Sequence, residues 1–115
     1  MTPQEIVTFI HRRRLPLTNE KELQAKIAAE LTAAGVPYER EVKLADGDVI
    51  DFMIGDVGLE VKIKGQRRAI YRQCERYAKS DRVKVLVLAA SASMGLPETI
   101  GGKDVYFASL SRGWM

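Results

Sequence analysis

"VIDFMIGDVGLEVKIKG", residues 49–65, holds two runs in which apolar residues alternate with others, joined through a turn bounded by Gly55 and Gly58. A period of two over such short runs predicts a β-hairpin, with strands over 49–54 and 59–64. With the turn centred on Asp56 and Val57, Asp51 falls opposite Lys62 and Met53 opposite Glu60, and directly opposed residues share a face. The other face carries Ile50, Phe52 and Ile54 against Leu59, Val61 and Ile63. That face is apolar throughout, which pins the register, because a slip of one residue would turn charges into the core. Asp51, Glu60 and Lys62, spaced D-x8-E-x-K, are then neighbours on the opposite face.

Working outward, "TPQEIVTFIHRRR" carries the signals of a helix start: Thr2 as N-cap, Pro3 at the first position and Glu5 three after the cap. The apolar stripe Ile6, Phe9 and Ile10 predicts a helix over 3–13. A second helix over 20–34 follows "LPLTNE" and stops at Gly35. "VPYEREVKL" alternates as a strand. "QRRAIYRQCERYAKS" has helical spacing, and "RVKVLVLAA" is an unbroken apolar run of the kind buried on both faces of a sheet. "SASMGLPETIGGK" is a Gly-rich loop and "DVYFASL" a last strand. Short connections make the first three strands an antiparallel meander. The helix after them is long enough for a crossover to a parallel strand. The fold class is α/β, a mixed sheet with helices on its faces.

One domain accounts for 115 residues of which 46% are hydrophobic. A single cysteine, Cys74, excludes a disulfide framework and a Cys/His zinc site within the chain. The N-terminus is charged early and lacks a long apolar run, so neither a signal peptide nor a membrane span is expected, and a cytoplasmic setting fits. The net charge of +3 conceals an asymmetry. Between Lys62 and Lys84 nine Lys or Arg stand against two acids, a net of +7, while nine bases and thirteen acids elsewhere net −4. A basic stripe beside an acidic cluster suits a polyanion drawn to a cation-binding centre, although a solvated helix face accounts for the charge equally well.

Two carboxylates held close repel unless a cation lies between them. Their oxygens suit Mg²⁺ or Mn²⁺, and an ammonium one pleat away can orient a water or neutralise charge on a phosphate. The plain alternative is a cross-strand Asp51–Lys62 salt bridge with Glu60 in solvent. Glu20 shares the inward stripe of the second helix with Leu23, Ile27, Leu31 and Ala34, so it needs a cation, a donor or the helix dipole nearby. On the third helix Gln66, Ile70, Gln73 and Tyr77 form one stripe, while Arg68, Arg72, Arg76 and Lys79 face away. Gln73 could hold a water or phosphate oxygen, or satisfy a sheet-edge carbonyl. His11, Cys74, Met94 and Trp114 read as structural.

These residues together resemble the PD-(D/E)XK nuclease superfamily, through "IDFMIGDVGLEVK" and the element order across residues 18–90. "EKELQ" from Glu20 to Gln24, Gln73 and the "QCERY" pattern ending at Tyr77 are most similar to its small VRR-NUC branch. The resemblance implies a restriction-endonuclease-like core: a helix, a three-strand antiparallel meander, a crossover helix and a parallel strand. The first helix and the last strand are additions to that core, and Ile50 stands where a Pro is usual. It implies that Asp51, Glu60 and the Val61 carbonyl bind the divalent ion, with Glu20 direct or through water, that Lys62 acts on the water, and that Gln73 completes the centre. The expected function is a metal-dependent DNA endonuclease, possible substrates including branched or junction DNA. Lys64, Arg67, Arg68, Arg72, Arg76 and Tyr77, with Arg12 to Arg14, would hold DNA by its backbone with little base reading. Cutting two strands would take a homodimer. The alternative is a catalytically inactive nucleic-acid-binding module or subunit on the same fold; a further one, a protein-interaction domain, would not bind DNA in a salt-dependent way.

Overall fold

The computed structural model describes residues 1–115 apart from the side chain of Asp46. Three helices, α1 (Pro3–His11), α2 (Glu20–Ala33) and α3 (Arg67–Ala78), pack on a sheet of six strands: β1 (Glu39–Lys43), β2 (Val49–Ile54), β3 (Val57–Lys62), β4 (Val85–Ala90), β5 (Thr99–Ile100) and β6 (Lys103–Ser109). The strand order is β1-β2-β3-β4-β6-β5. β1, β2 and β3 form the antiparallel meander, β4 runs parallel to both β3 and β6, and β5 pairs antiparallel with β6. This is the expected mixed α/β sheet. No helix among the described residues is long and apolar enough to cross a membrane.

Local chemistry sets the helix starts. Thr2 Oγ1 accepts from the Glu5 N–H at 3.1 Å while Glu5 Oε1 accepts from the Thr2 N–H at 2.8 Å, a reciprocal capping box ahead of α1. Asn19 Oδ1 accepts from the Glu22 N–H at the head of α2. The stripes Ile6, Phe9, Ile10 and Leu23, Ile27, Leu31 lie buried with Phe52, Ile54, Leu59, Val61, Val87 and Ala89, so α1 and α2 cover one face of the sheet. Ile70, Cys74 and Tyr77 of α3 pack with Leu86 and Leu88 on the other. β4 alternates between the two clusters and lies mid-sheet, which explains its unbroken apolar run.

Two details differ from the sequence reading. β5 falls within the stretch read as a loop; two residues between Pro97 and Gly101 are too few to display a period. The hairpin turn occupies Gly55 and Asp56 rather than Asp56 and Val57, and the pairs are Ile54 with Val57, Met53 with Gly58 and Phe52 with Leu59. Gly55 takes φ +62°, which a tight two-residue turn demands and a glycine supplies without steric cost. β3 therefore starts and ends two residues earlier than expected. A shift of two preserves the alternation, so Glu60 and Lys62 keep the face they were assigned, although Glu60 rather than Lys62 comes level with Asp51.

After β6 the chain folds back on the α1–α2 connection. The Trp114 indole N–H donates to the Leu15 carbonyl at 2.9 Å, and a Cβ added at Gly113 would come within 1.9 Å of the Arg13 carbonyl oxygen. Backbone cannot yield as a side-chain tip can. Gly113→Ala should therefore destabilise the fold by about 1–3 kcal/mol, the usual cost of overpacking. A thermal melt followed by circular dichroism should show Tm lower by several degrees, and an unchanged Tm would mean that this close approach is not kept in solution.

Candidate active site

The site begins with a fault in the sheet. Arg40 pairs with Phe52 and Val42 with Ile50 across β1 and β2. Phe52 belongs to the core under α2, yet Val42 and Ile50 belong to the core under α3. Regular alternation would put both pairs on one side, so both strands reverse sides between them, at Glu41 and Asp51. Glu41 has φ +51°, the one positive φ outside glycine among the described residues, a conformation that costs free energy and clusters at functional sites. Ile50 is thus not on the face shared by Phe52, Ile54, Leu59, Val61 and Ile63, as the alternation had predicted.

The β2–β3 ladder ends at the Phe52–Leu59 pair. Beyond it the side chains of Asp51 and Glu60 take over the backbone's hydrogen bonds. Asp51 Oδ2 accepts from the Val61 N–H at 2.8 Å, and Glu60 Oε1 accepts from the Asp51 N–H at 3.1 Å. The remaining oxygens are also engaged: Asp51 Oδ1 accepts from Gln24 Nε2 at 3.1 Å, and Glu60 Oε2 lies 3.3 Å from Lys62 Nζ. The plain alternative, an Asp51–Lys62 salt bridge with Glu60 in solvent, does not form; the ammonium pairs with the buried Glu60 on its own strand. Glu60 is 2% exposed, and the only other buried polar residue among those described is Ser80. Burial pushes its carboxyl up from 4.5 to about 7, the Asp51 charge pushes the same way, and Lys62 offsets part of it. Burial likewise raises Asp51, against the Val61 N–H that favours its charged form.

The other expected site residues are distributed around this pair. Glu20 is half-buried at the first position of α2, and no three His, Cys, Asp or Glu residues among those described gather as a metal cluster, so Glu20 is not joined to Asp51 and Glu60 as expected. Gln24, one helical turn further along the same face, makes that connection instead, and its Oε1 accepts from Arg40 at 3.3 Å. Its i+4 spacing from Glu20 was the signal that could have placed it in the site. Gln73 is half-buried and lines, with Lys62, Lys64 and Arg76, a groove of about 270 Å³. Tyr77 is not a DNA contact: it is fully buried, its hydroxyl donates to the Val49 carbonyl at 2.9 Å, and burial beside Glu60 raises its pKa. Cys74 is buried under the same helix, its thiol pushed up to about 12 by burial and the Glu60 charge, hence inert.

Lys64, Arg67, Arg68, Arg72 and Arg76 are exposed along α3 and its approach. Arg76 Nε lies 3.0 Å from Asp48 Oδ1, which ties it to the β1–β2 connection. Arg13 is structural, paired with Glu30 at 2.8 Å and set over the Phe9 ring, while Arg14 lies over Trp114. Val61 uses its N–H toward β2, and because a residue in an extended strand presents N–H and C=O to the same side, its carbonyl also faces the opened gap. Two carboxylates whose protonation burial favours, with the Val61 carbonyl on the same side, are oxygen donors of the kind that could hold Mg²⁺ or Mn²⁺. Compared with protein-family models, curated proteins and solved structures, the chain matches none.

An acid whose folded-state pKa is raised stabilises the fold while protonated and loses that contribution as pH climbs from its ordinary value toward the folded one. In chelator, Tm should therefore fall between about pH 4.5 and about pH 7, the two limits for Glu60. If the pair holds Mg²⁺ or Mn²⁺, saturating metal should raise Tm more at pH 8 than at pH 5. Glu60→Gln should flatten the fall, and a wild-type melt indifferent to pH in this window would refute the buried pair.

Proposed function

We propose that the chain is a divalent-metal-dependent endonuclease that hydrolyses phosphodiester bonds in DNA, on a core resembling that of the PD-(D/E)XK nucleases. The observation that carries this reading is the forked ladder, where the half-buried carboxylate of Asp51 meets the buried one of Glu60 and the Lys62 ammonium stands 3.3 Å from Glu60 Oε2. The order α2, β1, β2, β3, α3, β4 is the element order of that core. Holding two carboxylates together, one of them buried, is costly even with one ammonium beside Glu60, and metal binding would account for their retention.

Asp51, Glu60 and the Val61 carbonyl would hold Mg²⁺ or Mn²⁺, which when bound neutralises the pair and polarises a phosphoryl oxygen. Gln24 holds Asp51 in place from α2. Lys62 can exchange its pairing with Glu60 for the developing charge on the phosphate or for the attacking water, a role that acts on the transition state. Gln73, on the far wall of the groove, can hold a phosphate or water oxygen. Lys64, Arg68 and Arg72 supply phosphate contacts without reading bases. A chain of this size with one such site nicks one strand; cutting both requires two copies.

A catalytically inactive nucleic-acid-binding module is the second reading, and one observation favours it: each carboxylate oxygen already has a protein donor or an ammonium beside it, and Glu20 stands outside the pair. Incubation of plasmid and branched DNA with Mg²⁺ or Mn²⁺ separates the two. Metal-dependent nicking should fall by roughly 10²-fold or more in Asp51→Asn, Glu60→Gln and Lys62→Ala while salt-dependent DNA binding persists in Lys62→Ala. Binding without cutting under any metal would favour the module. Gln24→Ala should weaken metal affinity about 10- to 100-fold, as loss of a residue orienting a ligand does, read by titrating the metal against the thermal shift.

A further inference from the structure

α3 stands between two grooves. Gln66, Ala69, Gln73 and Arg76 turn toward Lys62 and Lys64, the groove assigned above to the phosphodiester. Arg67, Arg68 and Tyr71 lie on roughly the opposite side of the same helix at 3.6 residues per turn. There they line a larger cavity of about 420 Å³ with Gly95, Leu96 and Pro97 from the β4–β5 connection. The Ser91 hydroxyl donates to the Ile63 carbonyl at 2.8 Å, so that connection leaves β4 against the end of β3, and both grooves open at the carboxyl ends of the parallel strands.

The second groove has three kinds of wall. Leu96 and Tyr71 pack partly against the core under α3, which fixes the tyrosine ring, and Pro97 adds a flat apolar surface. Arg67 is anchored by Nη2 on the Gly95 carbonyl at 3.4 Å, and Arg68 is exposed with no ion pair among the described residues. The first turn of α3 has no acidic residue and no side-chain cap, so its N–H groups add to the positive potential. An acidic peptide would use the arginines and leave the ring idle; a lipid chain would do the reverse. A nucleotide, with a planar base and an anionic phosphate, uses both.

We infer that this cavity takes an unpaired base of a nucleic-acid strand, stacked on Tyr71 with its phosphate between Arg67 and Arg68. The preferred DNA is then a duplex carrying a single-stranded arm. This rests on the nucleic-acid reading of the basic groove. The arm leaves the duplex at Lys62 and Gln73 and crosses the N-terminal turn of α3, one helix diameter of about 10–12 Å, which a few nucleotides span.

The test is equilibrium binding of the full chain in chelator, where no metal-dependent cutting occurs, to a blunt duplex and to the same duplex with an arm containing 2-aminopurine. The wild-type chain should favour the armed DNA by about tenfold and quench the arm's fluorescence, as stacking of one base does. Tyr71→Phe should keep both effects. Tyr71→Leu should lose both and leave blunt-duplex affinity within about twofold, which also shows that this variant folds. Equal wild-type affinity for the two DNAs, or quenching unchanged in Tyr71→Leu, overturns the inference. Arm preference without metal-dependent cutting of any DNA supports the inference and removes the nuclease reading alone. Cutting indifferent to the arm and to Tyr71 removes the inference alone.

Discussion

Everything distinctive in this molecule follows from the exchange of hydrogen bonds between Asp51 and Glu60. Where β2 and β3 separate, each strand presents a backbone donor that its partner's backbone no longer meets, and each donor is met by a carboxylate from the opposite strand. Backbone N–H groups left buried and unpaired would be costly. The same two side chains therefore close the sheet's accounts and concentrate negative charge in its interior. No buried side-chain nitrogen or oxygen among the described residues lacks a partner. Stability and chemistry are drawn from one set of atoms, and each constrains the other.

The reversal at Glu41 makes that exchange possible. With its neighbour in a left-handed conformation, β1 cannot continue a regular ladder past Asp51, and β2 turns with it, Ile50 passing to the α3 side while Phe52 stays on the α2 side. Gly58, which pairs with Met53 on β3, leaves room for Ile50: a Cβ there would sit 2.6 Å from the Ile50 Cδ1. Asp51 then lies at the changeover, reached by Gln24 from α2 and by the Val61 N–H within the sheet, while Glu60 lies near Cys74 and Tyr77 of α3. The two carboxylates approach one another from different layers of the fold, a more restrictive arrangement than neighbours on one pleated face.

Much of this was legible in the residues, and the exceptions have physical causes. The period-two runs around Gly55 and Gly58 identified the hairpin, but either glycine could have closed it, and a shift of two leaves the alternation intact, so the pattern could not choose. Glu41 gives no sign of its backbone angle, because positive φ in a non-glycine is imposed by surroundings. Of the third helix's stripe, Ile70 and Tyr77 are buried while Gln73 is half-buried and Gln66 exposed, and burial is why Tyr77 cannot also meet DNA: a side chain cannot both fill the core and reach a ligand outside it. The pairing of Lys62 with Glu60 rather than Asp51 follows from the hairpin shift that also moved the pair's level. Gln24 was visible one turn after Glu20, yet an amide on a helix carries no chemistry until its partner is known.

The hydrogen bond from the Ser109 N–H to His11 Nε2 at 2.9 Å joins residues 98 positions apart, and α1 packs on β6 and β4, so the first helix is seated on the last strand. The hairpin carrying Asp51 and Glu60, by contrast, closes over a two-residue turn. Loop closure over long separations carries an entropic cost before its contacts repay it, and topologies with distant contacts fold slowly. The contacts of this chain thus divide into a local set that builds the carboxylate fork and a distant set, costlier in chain entropy to close, that roofs the far half of the sheet.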